Sequence, residues 1–282
     1  MNKNLTAIVD LDSMLHIIAN VQYSAGNRDN STDVKNHVRR FIANICTNST
    51  DKEVILVYQK QGHTNFRNTI LPEYKGHRES SEAIKLWKPT ILEAYAETGA
   101  IGLQHIESDD AQNILAYYIG LDRTVLVTSD KDIQQVPTML YNPYKAGLKP
   151  EERWRSVNVY EANRFFWMQV LAGDPTDMPS SMCGIEGIGM GKADKLCDQQ
   201  LPFLEIIQNA YRSKYDSKGF ERANLTYKMV RLLGDSGNDY AGTEALNEVQ
   251  WLKENYLNYT QKVKDPNNKL FVDNPTNLFT NG

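Results

Sequence analysis

Apolar residues recur with two different spacings in the first half of the chain. Four short runs rich in branched apolar side chains, typical of β-strands, cover residues 5–10, 53–58, 102–106 and 124–128. The stretches between them repeat apolar residues at helical spacing, which predicts helices over 13–23, 32–46, 80–97 and 109–121. Ser31 and Ser108 are the predicted N-caps of the second and the last of these helices. Strands that alternate with helices favour an α/β fold, in which a mostly parallel sheet is covered by helices on both faces.

The second half of the chain carries almost no strand pattern. Its apolar periodicity predicts helices over 160–172, 192–199, 203–214, 221–234 and 244–256. The sequence therefore predicts an α/β domain over residues 1–158, an all-helical lobe over 159–258 and an irregular tail over 259–282, which is rich in Asn, Pro and Thr.

The amino-acid composition argues against a membrane protein and against a zinc protein. The 282 residues include 41% hydrophobic and 23% charged residues, as in an ordinary globular protein, and no apolar run reaches the roughly 18 residues of a membrane span. The first residues lack the apolar core of a signal peptide, so we expect a cytoplasmic protein that does not bind a membrane. The three cysteines, Cys46, Cys183 and Cys197, show no paired metal-binding spacing, which argues against a zinc site.

Acidic side chains follow the predicted strands. Asp10 ends the first strand, and further acids come after the third strand, after the fourth strand and after the helix 160–172. These acids are Glu107, Asp109, Asp110, Asp130, Asp132, Asp174 and Asp177. Ligands of an open parallel sheet bind beyond the carboxyl ends of its strands, so we expect these carboxylates to converge. Taken one by one, each is explained as well by a helix-capping role.

Convergence of so many carboxylates favours a metal site over helix capping, because carboxylates held close together repel one another unless cations lie between them. Oxygen ligands without His or Cys favour Mg²⁺ or Mn²⁺, and two such ions roughly 4 Å apart can promote phosphodiester hydrolysis. A net charge of −4 is unusual for a nucleic-acid-binding protein. Acids collected at one metal site account for it, since the bound cations reverse the local sign of the charge.

A glycine-rich segment, residues 184–192, precedes the predicted helix 192–199. Glycines allow backbone N–H groups to approach a phosphate, and the helix N-terminus adds its dipole. The segment is not a P-loop, because Glu186 and Ala193 stand where Gly and Ser or Thr are needed. It resembles a helix–hairpin–helix type of turn that binds the duplex backbone, with the DNA-binding residues Gly184, Gly187, Gly189, Gly191 and Lys192. The alternative is a tight turn between two helices.

Motifs spread over residues 5–231 together resemble the 5′-nuclease, or flap endonuclease, superfamily. The resemblance is strongest to the bacteriophage 5′–3′ exonucleases and to the amino-terminal nuclease domain of bacterial DNA polymerase I. In chain order the motifs are Ile-Val-Asp ending at Asp10, Pro-Glu-Tyr-Lys-Gly-His-Arg over 72–78, Glu-Ser-Asp-Asp-Ala over 107–111, Thr-Ser-Asp-Lys-Asp over 128–132, Ala-Gly-Asp-Pro-Thr-Asp over 172–177 and the glycine turn. One motif alone is weak evidence, but their common order and spacing are specific.

The resemblance implies a PIN-like nuclease domain with a short helical clamp at about residues 60–98. Members of the superfamily hydrolyse DNA at 5′ ends or at single-strand/duplex junctions, which implies a role in DNA replication or primer removal. We therefore expect a monomer that acts on such DNA, and on RNA–DNA hybrids of the same form.

The resemblance also implies roles for single residues. Asp10, Glu107 and Asp109 would hold one metal ion with Asp110 nearby, and the second ion would be held by Asp130, Asp132, Asp174 and Asp177. The catalytic set would comprise Asp10, Glu107, Asp109, Asp130, Lys75 and Arg78. Lys75 and Arg78 would contact the scissile phosphate, although the residues by themselves are explained more simply by a solvated basic face. The glycine turn would bind K⁺ through backbone carbonyls.

The aromatic residues of the clamp have two possible roles, DNA binding and core packing. Tyr74 is predicted to bind DNA by stacking on unpaired bases. The same role is open to Trp87 and Tyr95, but packing of amphipathic helices explains these two at least as well.

The chain departs from the superfamily after its second strand, where members place an aspartate. No carboxylate occurs from Gln59 to Pro72, and Gln59 offers only a neutral carbonyl oxygen. Asp12 either compensates for this loss or caps a helix. The departure leaves a catalytically weakened DNA-junction-binding homologue as one alternative. A PIN-like ribonuclease is the other, against which the predicted helical lobe argues.

Overall fold

A seven-stranded sheet organises the described part of the chain, which in this computed structural model comprises residues 4–144, 149–179, 181–234, 238–265, 267, 268 and 270. The strands are β1 (Thr6–Asp10), β2 (Glu53–Gln59), β3 (Ile101–Leu103), β4 (Thr124–Val127), β5 (Met139–Tyr141), β6 (Trp154–Ser156) and β7 (Gln261–Lys262). Their order is β3-β2-β1-β4-β5-β6, and all neighbours are parallel except β5 and β6. β7 pairs antiparallel with the start of β2. The prediction of a mixed α/β fold with a mostly parallel sheet is confirmed.

Three strands lie outside the predicted set. β5 and β6 have three residues each and β7 has two, so none is long enough to show a periodic pattern in the sequence. They form because a neighbour's backbone is available for pairing: β5 adds to β4, β6 returns beside β5, and β7 covers the free edge of β2 at Glu53 and Val54. The stretch 261–262 therefore departs from the predicted irregular tail.

Helices fill the connections between strands. They are α1 (Asp12–Ser24), α2 (Ser31–Ser49), α3 (Arg67–Ile70), α4 (Glu82–Glu97), α5 (Ser108–Ile119), α6 (Val159–Ala172), α7 (Met190–Cys197), α8 (Phe203–Tyr215), α9 (Gly219–Val230) and α10 (Thr243–Asn255). The predicted N-caps Ser31 and Ser108 are each wrong by one residue. Asn30 caps α2 by accepting a bond from the Asp33 N–H at 3.1 Å, and Glu107 stands at the cap of α5. No helix in the described ranges is long and apolar enough to cross a membrane.

The sheet is buried on both faces. Ala7 and Val9 of β1 point into one core with α1, α2 and α4, whereas Ile8 points into a second core with α5 and α10. This alternation explains why β1, β2 and β4 are continuously apolar in sequence. The helix α10 was predicted in the helical lobe, but Ala245, Val249 and Leu252 pack in the sheet's second core instead.

A third core joins α6, α7, α8 and α9. Leu71 and Tyr74, which follow α3, are buried in it. Most of the predicted clamp does not stand free, because α4 carries Trp87 and Tyr95 into the first core, where the Tyr95 hydroxyl donates to the Leu11 carbonyl at 2.8 Å. Of the predicted clamp, Leu71 and Tyr74 reach the helical core.

A buried arginine connects these cores. Arg67 is 2% exposed. Its guanidinium donates to both carboxylate oxygens of Asp110 at 2.7 and 2.9 Å, and to the carbonyls of Met229 and Arg231 at 3.0 Å each. Asp110 also accepts a bond from the Leu233 N–H at 2.9 Å. The pair therefore fixes α3, α5 and the end of α9 relative to one another.

We predict that Arg67→Met lowers the free energy of unfolding by about 3–5 kcal/mol, because removal of one partner leaves the Asp110 carboxylate buried without a counter-charge. The control is Arg39→Met, which breaks an exposed pair with Glu97 and should cost less than about 1 kcal/mol. Urea unfolding in EDTA measures both values. Equal losses in the two variants would show that Arg67 does not anchor the fold.

Candidate active site

The carboxyl ends of β1, β2 and β4 open into one cleft of about 400 Å³. The parallel register places Asp10 at the end of β1, next to Val57 of β2, and brings residues 128–132 beside it from the end of β4. The acids that line the cleft are Asp10, Asp12, Glu107, Asp109, Asp130, Asp132 and Asp177, and its cationic side chains are Lys75, Arg78 and Lys88. The predicted convergence of acids at one sheet edge is therefore present in the structure.

Asp10 and Asp12 are held by hydroxyl and backbone donors. Asp10 accepts bonds from the Ser13 hydroxyl at 2.5 Å, the Thr128 hydroxyl at 2.8 Å and the Asp12 N–H at 2.8 Å. Asp12 accepts from the Ser108 hydroxyl at 2.5 Å and from the Gln59 N–H at 3.1 Å. Asp12 does not cap α1 with its side chain. Its carboxylate instead joins the end of β2 to the start of α5, inside the cleft.

Glu107 is fixed by three different donors. The Tyr74 hydroxyl donates to it at 2.7 Å, the Arg67 guanidinium lies at 3.3 Å, and the Lys75 ammonium forms an ion pair with its other oxygen. Burial opposes the ionised form, but the charges of Lys75 and Arg67 outweigh it and lower the pKa of Glu107. These contacts therefore favour the ionised form of Glu107.

The motif 72–78 is positioned by the loop after α6. Lys75 has a backbone φ of 56°, which is uncommon for a residue other than glycine. Its N–H donates to the Asp177 carbonyl at 2.7 Å. Arg78 forms an ion pair with the Asp177 carboxylate and donates from Nε to the Thr176 carbonyl at 3.0 Å. Lys75 and Arg78 are thus both brought to the cleft, as predicted for groups that contact a phosphate.

A second acidic group lies deeper. Glu107, Asp109, Asp132, Asp174 and Asp177 surround a space of about 10 Å³. Lys131 forms ion pairs with Asp132, at 2.9 Å, and with Asp174. Gln169 donates to Asp132 at 2.6 Å, and Thr176 donates to Asp174 from its N–H at 2.9 Å and its hydroxyl at 2.5 Å.

The acids of the cleft fall into two electrostatic groups. Within the described ranges, Glu107, Asp110, Asp132, Asp174 and Asp177 each form an ion pair with a lysine or arginine, whereas Asp10, Asp12, Asp109 and Asp130 form none. Burial and neighbouring carboxylates raise the pKa values of Asp10, of Asp109 and, to about 7, of Asp12. The second group, which we call the unpaired quartet, is therefore the part of the cleft whose carboxylates have no cationic partner among the described residues.

Two predicted roles do not fit the geometry. Glu107, Asp109 and Asp110 each place a carboxylate oxygen within 4.8 Å of the others, but both oxygens of Asp110 already accept bonds from Arg67 and Asp110 is fully buried. Asp110 is therefore an anchor of the fold and not a free metal ligand. Tyr74 is 4% exposed, so its ring is covered and cannot stack on a base. Its hydroxyl orients Glu107 and, at 3.0 Å, Asp177.

Sequence reasoning missed the parts of the site that depend on tertiary pairing. Arg67 lies in a polar stretch with no acid near it in sequence, so nothing local marks it as buried. Nothing in the local sequence marks Ser13 or Thr128 as part of the site. Lys131 could have been found from the sequence, because it stands between Asp130 and Asp132.

Comparison with known proteins identifies this arrangement. Residues 8–163 match the family model described as the 5′-3′ exonuclease, N-terminal resolvase-like domain. The match covers more than half of the chain and includes the β1, β2 and β4 ends that line the cleft. The chain belongs to this family. It is a 5′ nuclease, and the superfamily inferred from the sequence motifs is confirmed.

Relatives of this 5′ nuclease share its architecture. The 5′-3′ exonuclease of Buchnera aphidicola subsp. Schizaphis graminum is 25% identical over 232 residues, which cover 73% of this chain and 78% of that protein. A zinc-bound 5′-exonuclease of bacteriophage T5 has 18% identity and a TM-score of 0.58, with 90% of this chain and 98% of that chain covered. A flap endonuclease of bacteriophage T5 in complex with DNA and metal ions has 16% identity and a TM-score of 0.57 over the same shares. At these identities the solved structures establish a common fold.

The glycine turn of the 5′ nuclease links α6 to α7. Gly187 has a φ of 81° at the third position of a turn closed by the Ile188 N–H and the Ile185 carbonyl at 2.9 Å, the geometry of a type II turn. Gly189 precedes α7 with an extended backbone, and a Cβ on Gly187, Gly189 or Gly191 would meet nothing within 4 Å. These three glycines leave open space in front of α7.

Gly184 has a different role from the one predicted. Its φ is 71°, and a Cβ there would lie 2.5 Å from the Ala172 backbone. Its N–H donates to the Thr226 hydroxyl at 2.9 Å, and its carbonyl accepts from Arg222 at 2.8 Å. Gly184 therefore packs the turn against α6 and α9 and does not face a ligand.

We predict that Asp12→Asn removes a pH-dependent destabilisation of the metal-free chain. The Asp12 pKa is raised from 3.8 to about 7, so between these values the folded chain keeps a proton that the unfolded chain has lost. Stability contributed by this group therefore falls as the pH rises through that window. In EDTA, the variant should gain about 1–3 kcal/mol over the wild type at about pH 8 and almost nothing at about pH 4.

Urea unfolding across this pH range measures the difference, and Asp122→Asn, at an exposed position outside the cleft, is the control. Parallel pH profiles for wild type and Asp12→Asn would show that Asp12 does not titrate as an unpaired member of the quartet.

Proposed function

We propose that this chain hydrolyses DNA phosphodiester bonds as a structure-selective 5′ nuclease, both as a 5′–3′ exonuclease and as a flap endonuclease, with two ions of Mg²⁺ or Mn²⁺. The observation that supports it most directly is the unpaired quartet, because four carboxylates in one cleft without a cationic partner require cations to offset their repulsion. Hard carboxylate oxygens without His or Cys suit these two metals.

Each group of acids has its own place in this proposal. Asp10, Asp12, Asp109 and Asp130, with Glu107, would hold the first ion, and Asp132, Asp174 and Asp177 the second. Two such ions, when bound, activate a water molecule and stabilise the leaving oxygen. Asp110 is left out of the ligand set because Arg67 occupies both its oxygens.

The cationic side of the cleft would bind the substrate. Lys75 and Arg78 line the same cleft as the quartet, where their charges can hold the scissile phosphate and offset the negative charge that develops during cleavage. Both side chains are partly exposed, at 30% and 48%, so a phosphate can reach them. The Tyr74 hydroxyl donates to the Glu107 carboxylate beside them.

The helical region would bind the duplex. The turn 184–192 has the features of a helix–hairpin–helix turn: open space at Gly187, Gly189 and Gly191 and the start of α7 behind it. Lys192 bonds to the Gly187 carbonyl at 2.8 Å, which places a positive charge at the turn. Backbone N–H groups there suit a DNA phosphate, and carbonyls of the turn suit K⁺.

The substrate class follows from the relatives. A flap endonuclease of bacteriophage T5 was solved with DNA and metal ions, which supports DNA with a 5′ end or a single-strand/duplex junction as the substrate here. RNA–DNA hybrids, a monomeric state, a cytoplasmic location and a part in DNA replication or primer removal belong to the same proposal.

The alternative of a catalytically weakened homologue rests on Gln59. The Gln59 amide lies 3.4 Å from Glu107, so β2 does supply a neutral group to the cleft. Asp12, however, places a carboxylate at the end of the same strand by accepting the Gln59 N–H. The Asp12 carboxylate therefore takes the place of the aspartate that members of the superfamily have after the second strand. This favours an active enzyme over a weakened homologue.

We predict that Asp130→Asn reduces cleavage of a 5′-flap duplex by at least about 10³-fold, since it removes a carboxylate from the metal site. The fold should persist, because Asp130 accepts only the Asp132 N–H, which an amide oxygen can also accept. Gel-based cleavage in Mg²⁺, circular dichroism and flap binding in Ca²⁺ measure these properties, with Asp122→Asn as the control. Near-normal turnover in Asp130→Asn would remove this residue from the catalytic set.

We predict that Gly189→Val weakens duplex binding by about tenfold with little change in melting temperature. Its backbone is not in the left-handed region and has free space around it, so the side chain blocks phosphate approach without straining the fold. Gly184→Ala should do the opposite and lower the melting temperature, because its Cβ meets the Ala172 backbone. Fluorescence anisotropy and thermal unfolding separate the two effects. Unchanged affinity in Gly189→Val would show that the turn is only structural.

A further inference from the structure

Lys131 occupies an unusual position within the acidic centre. It lies between Asp130 and Asp132 in sequence, and its ammonium contacts Asp132 Oδ1 at 2.9 Å and the Asp174 carboxylate. The side chains of Asp132 and Asp174 are 16% and 5% exposed, whereas that of Lys131 is 47% exposed. A mobile cation from the rim of the site therefore neutralises two carboxylates that are largely buried.

The space beside these carboxylates is large enough for one water molecule or one small ion. Its volume of about 10 Å³ is close to that of a single water-sized probe. Five carboxylates line it together with the Arg67 guanidinium, the Tyr74 side chain and apolar side chains. The ammonium groups of Lys75 and Lys131 pair with four of these carboxylates: Glu107, Asp177, Asp132 and Asp174. An ion placed there would compete with the two lysines for these four carboxylates.

Side chains other than Lys131 also hold Asp132 and Asp174. Asp132 is bonded to Gln169 and Asp174 to Thr176, and the Asp174 oxygen that Thr176 binds is not the one that faces Lys131. Departure of the lysine would therefore expose a preformed set of oxygens. A long, half-exposed lysine can leave at low cost, since its ammonium is readily hydrated.

We propose that Lys131 is an internal counter-ion for the second metal position, which it holds until a divalent ion displaces it. This inference rests on the proposed two-metal function. In the part of the chain that the structure describes, four of the five carboxylates proposed for the first ion form no ion pair, and only Glu107 among them is held by Lys75 and Arg67. Lys131, in contrast, pairs with two of the three acids proposed for the second ion. The two positions therefore differ in affinity, and the second ion binds more weakly because it must displace an ammonium group. Lys131 thereby sets the divalent-ion concentration at which the centre becomes complete.

Metal titration tests the proposal without reference to cleavage. Mn²⁺ is titrated into the full chain by calorimetry and by electron paramagnetic resonance of free Mn²⁺, for wild type, Lys131→Met and the control Lys85→Met. Lys85 pairs with Glu82 at 2.9 Å on an exposed surface of α4. We expect two affinity classes in the wild type, and a dissociation constant of the weaker class that falls about tenfold in Lys131→Met and stays unchanged in Lys85→Met.

Stability gives a second readout. Lys131→Met should have a lower melting temperature than the wild type in EDTA and recover it in saturating Mn²⁺, because the metal supplies the lost charge. Lys131→Gln, which keeps a hydrogen-bond donor but not the charge, should behave in the same way. Lys131→Gln therefore replaces Lys131→Met in both measurements if the Met variant folds poorly.

The outcomes separate the two proposals. A weak-class dissociation constant that is unchanged or higher in both Lys131 variants would overturn the counter-ion role, while two bound ions in the wild type would still support the two-metal centre. Failure of the wild type and of both variants to bind a second ion would overturn both. A second ion that binds to the variants alone would support the role of Lys131 in its strongest form.

Discussion

Carboxylates collected at one edge of a parallel sheet repel one another, and the surroundings of the cleft are built around that repulsion. Hydroxyls of Ser13, Thr128 and Ser108 hold Asp10 and Asp12, and lysines or arginines form ion pairs with Glu107, Asp110, Asp132, Asp174 and Asp177. Asp10, Asp12 and Asp109, which remain unpaired within the described ranges, have raised pKa values because burial and neighbouring charges oppose their ionisation. The folded chain thus keeps unfavourable electrostatic energy at the place where a cation can relieve it.

Side chains that bind the acids of the cleft also link the cores to one another. Arg67 is buried with Asp110 and reaches the backbone after α9. Tyr74 lies in the helical core and still bonds to Glu107 of the sheet domain. Side chains from two separate cores therefore set the position of one carboxylate, which keeps the cleft geometry dependent on their docking.

Much of the fold could be predicted from the sequence, because β1, β2 and β4 are long apolar runs and the helices between them are amphipathic. The strands β5, β6 and β7 could not, since two or three residues carry no period and pair only when a neighbour is present. For the site, chain order placed Asp10, Glu107 and Asp130 at strand ends, which is a topological property. Whether Asp110 faces a metal or an arginine, and whether Tyr74 shows its ring or its hydroxyl, depends on packing between distant segments. A local pattern carries no information on that packing.

The return of the chain to the sheet after α9 gives the helical region two attachment points. It leaves the sheet after β6 and comes back through α10 and β7, which both pack on the sheet. Topologically, α6 to α9 form an insertion within the α/β domain, held at both ends like a closed loop. Changes of length inside such a loop cost little in closure entropy. This architecture therefore lets the helical region vary in length while the strands that carry the acids keep their register.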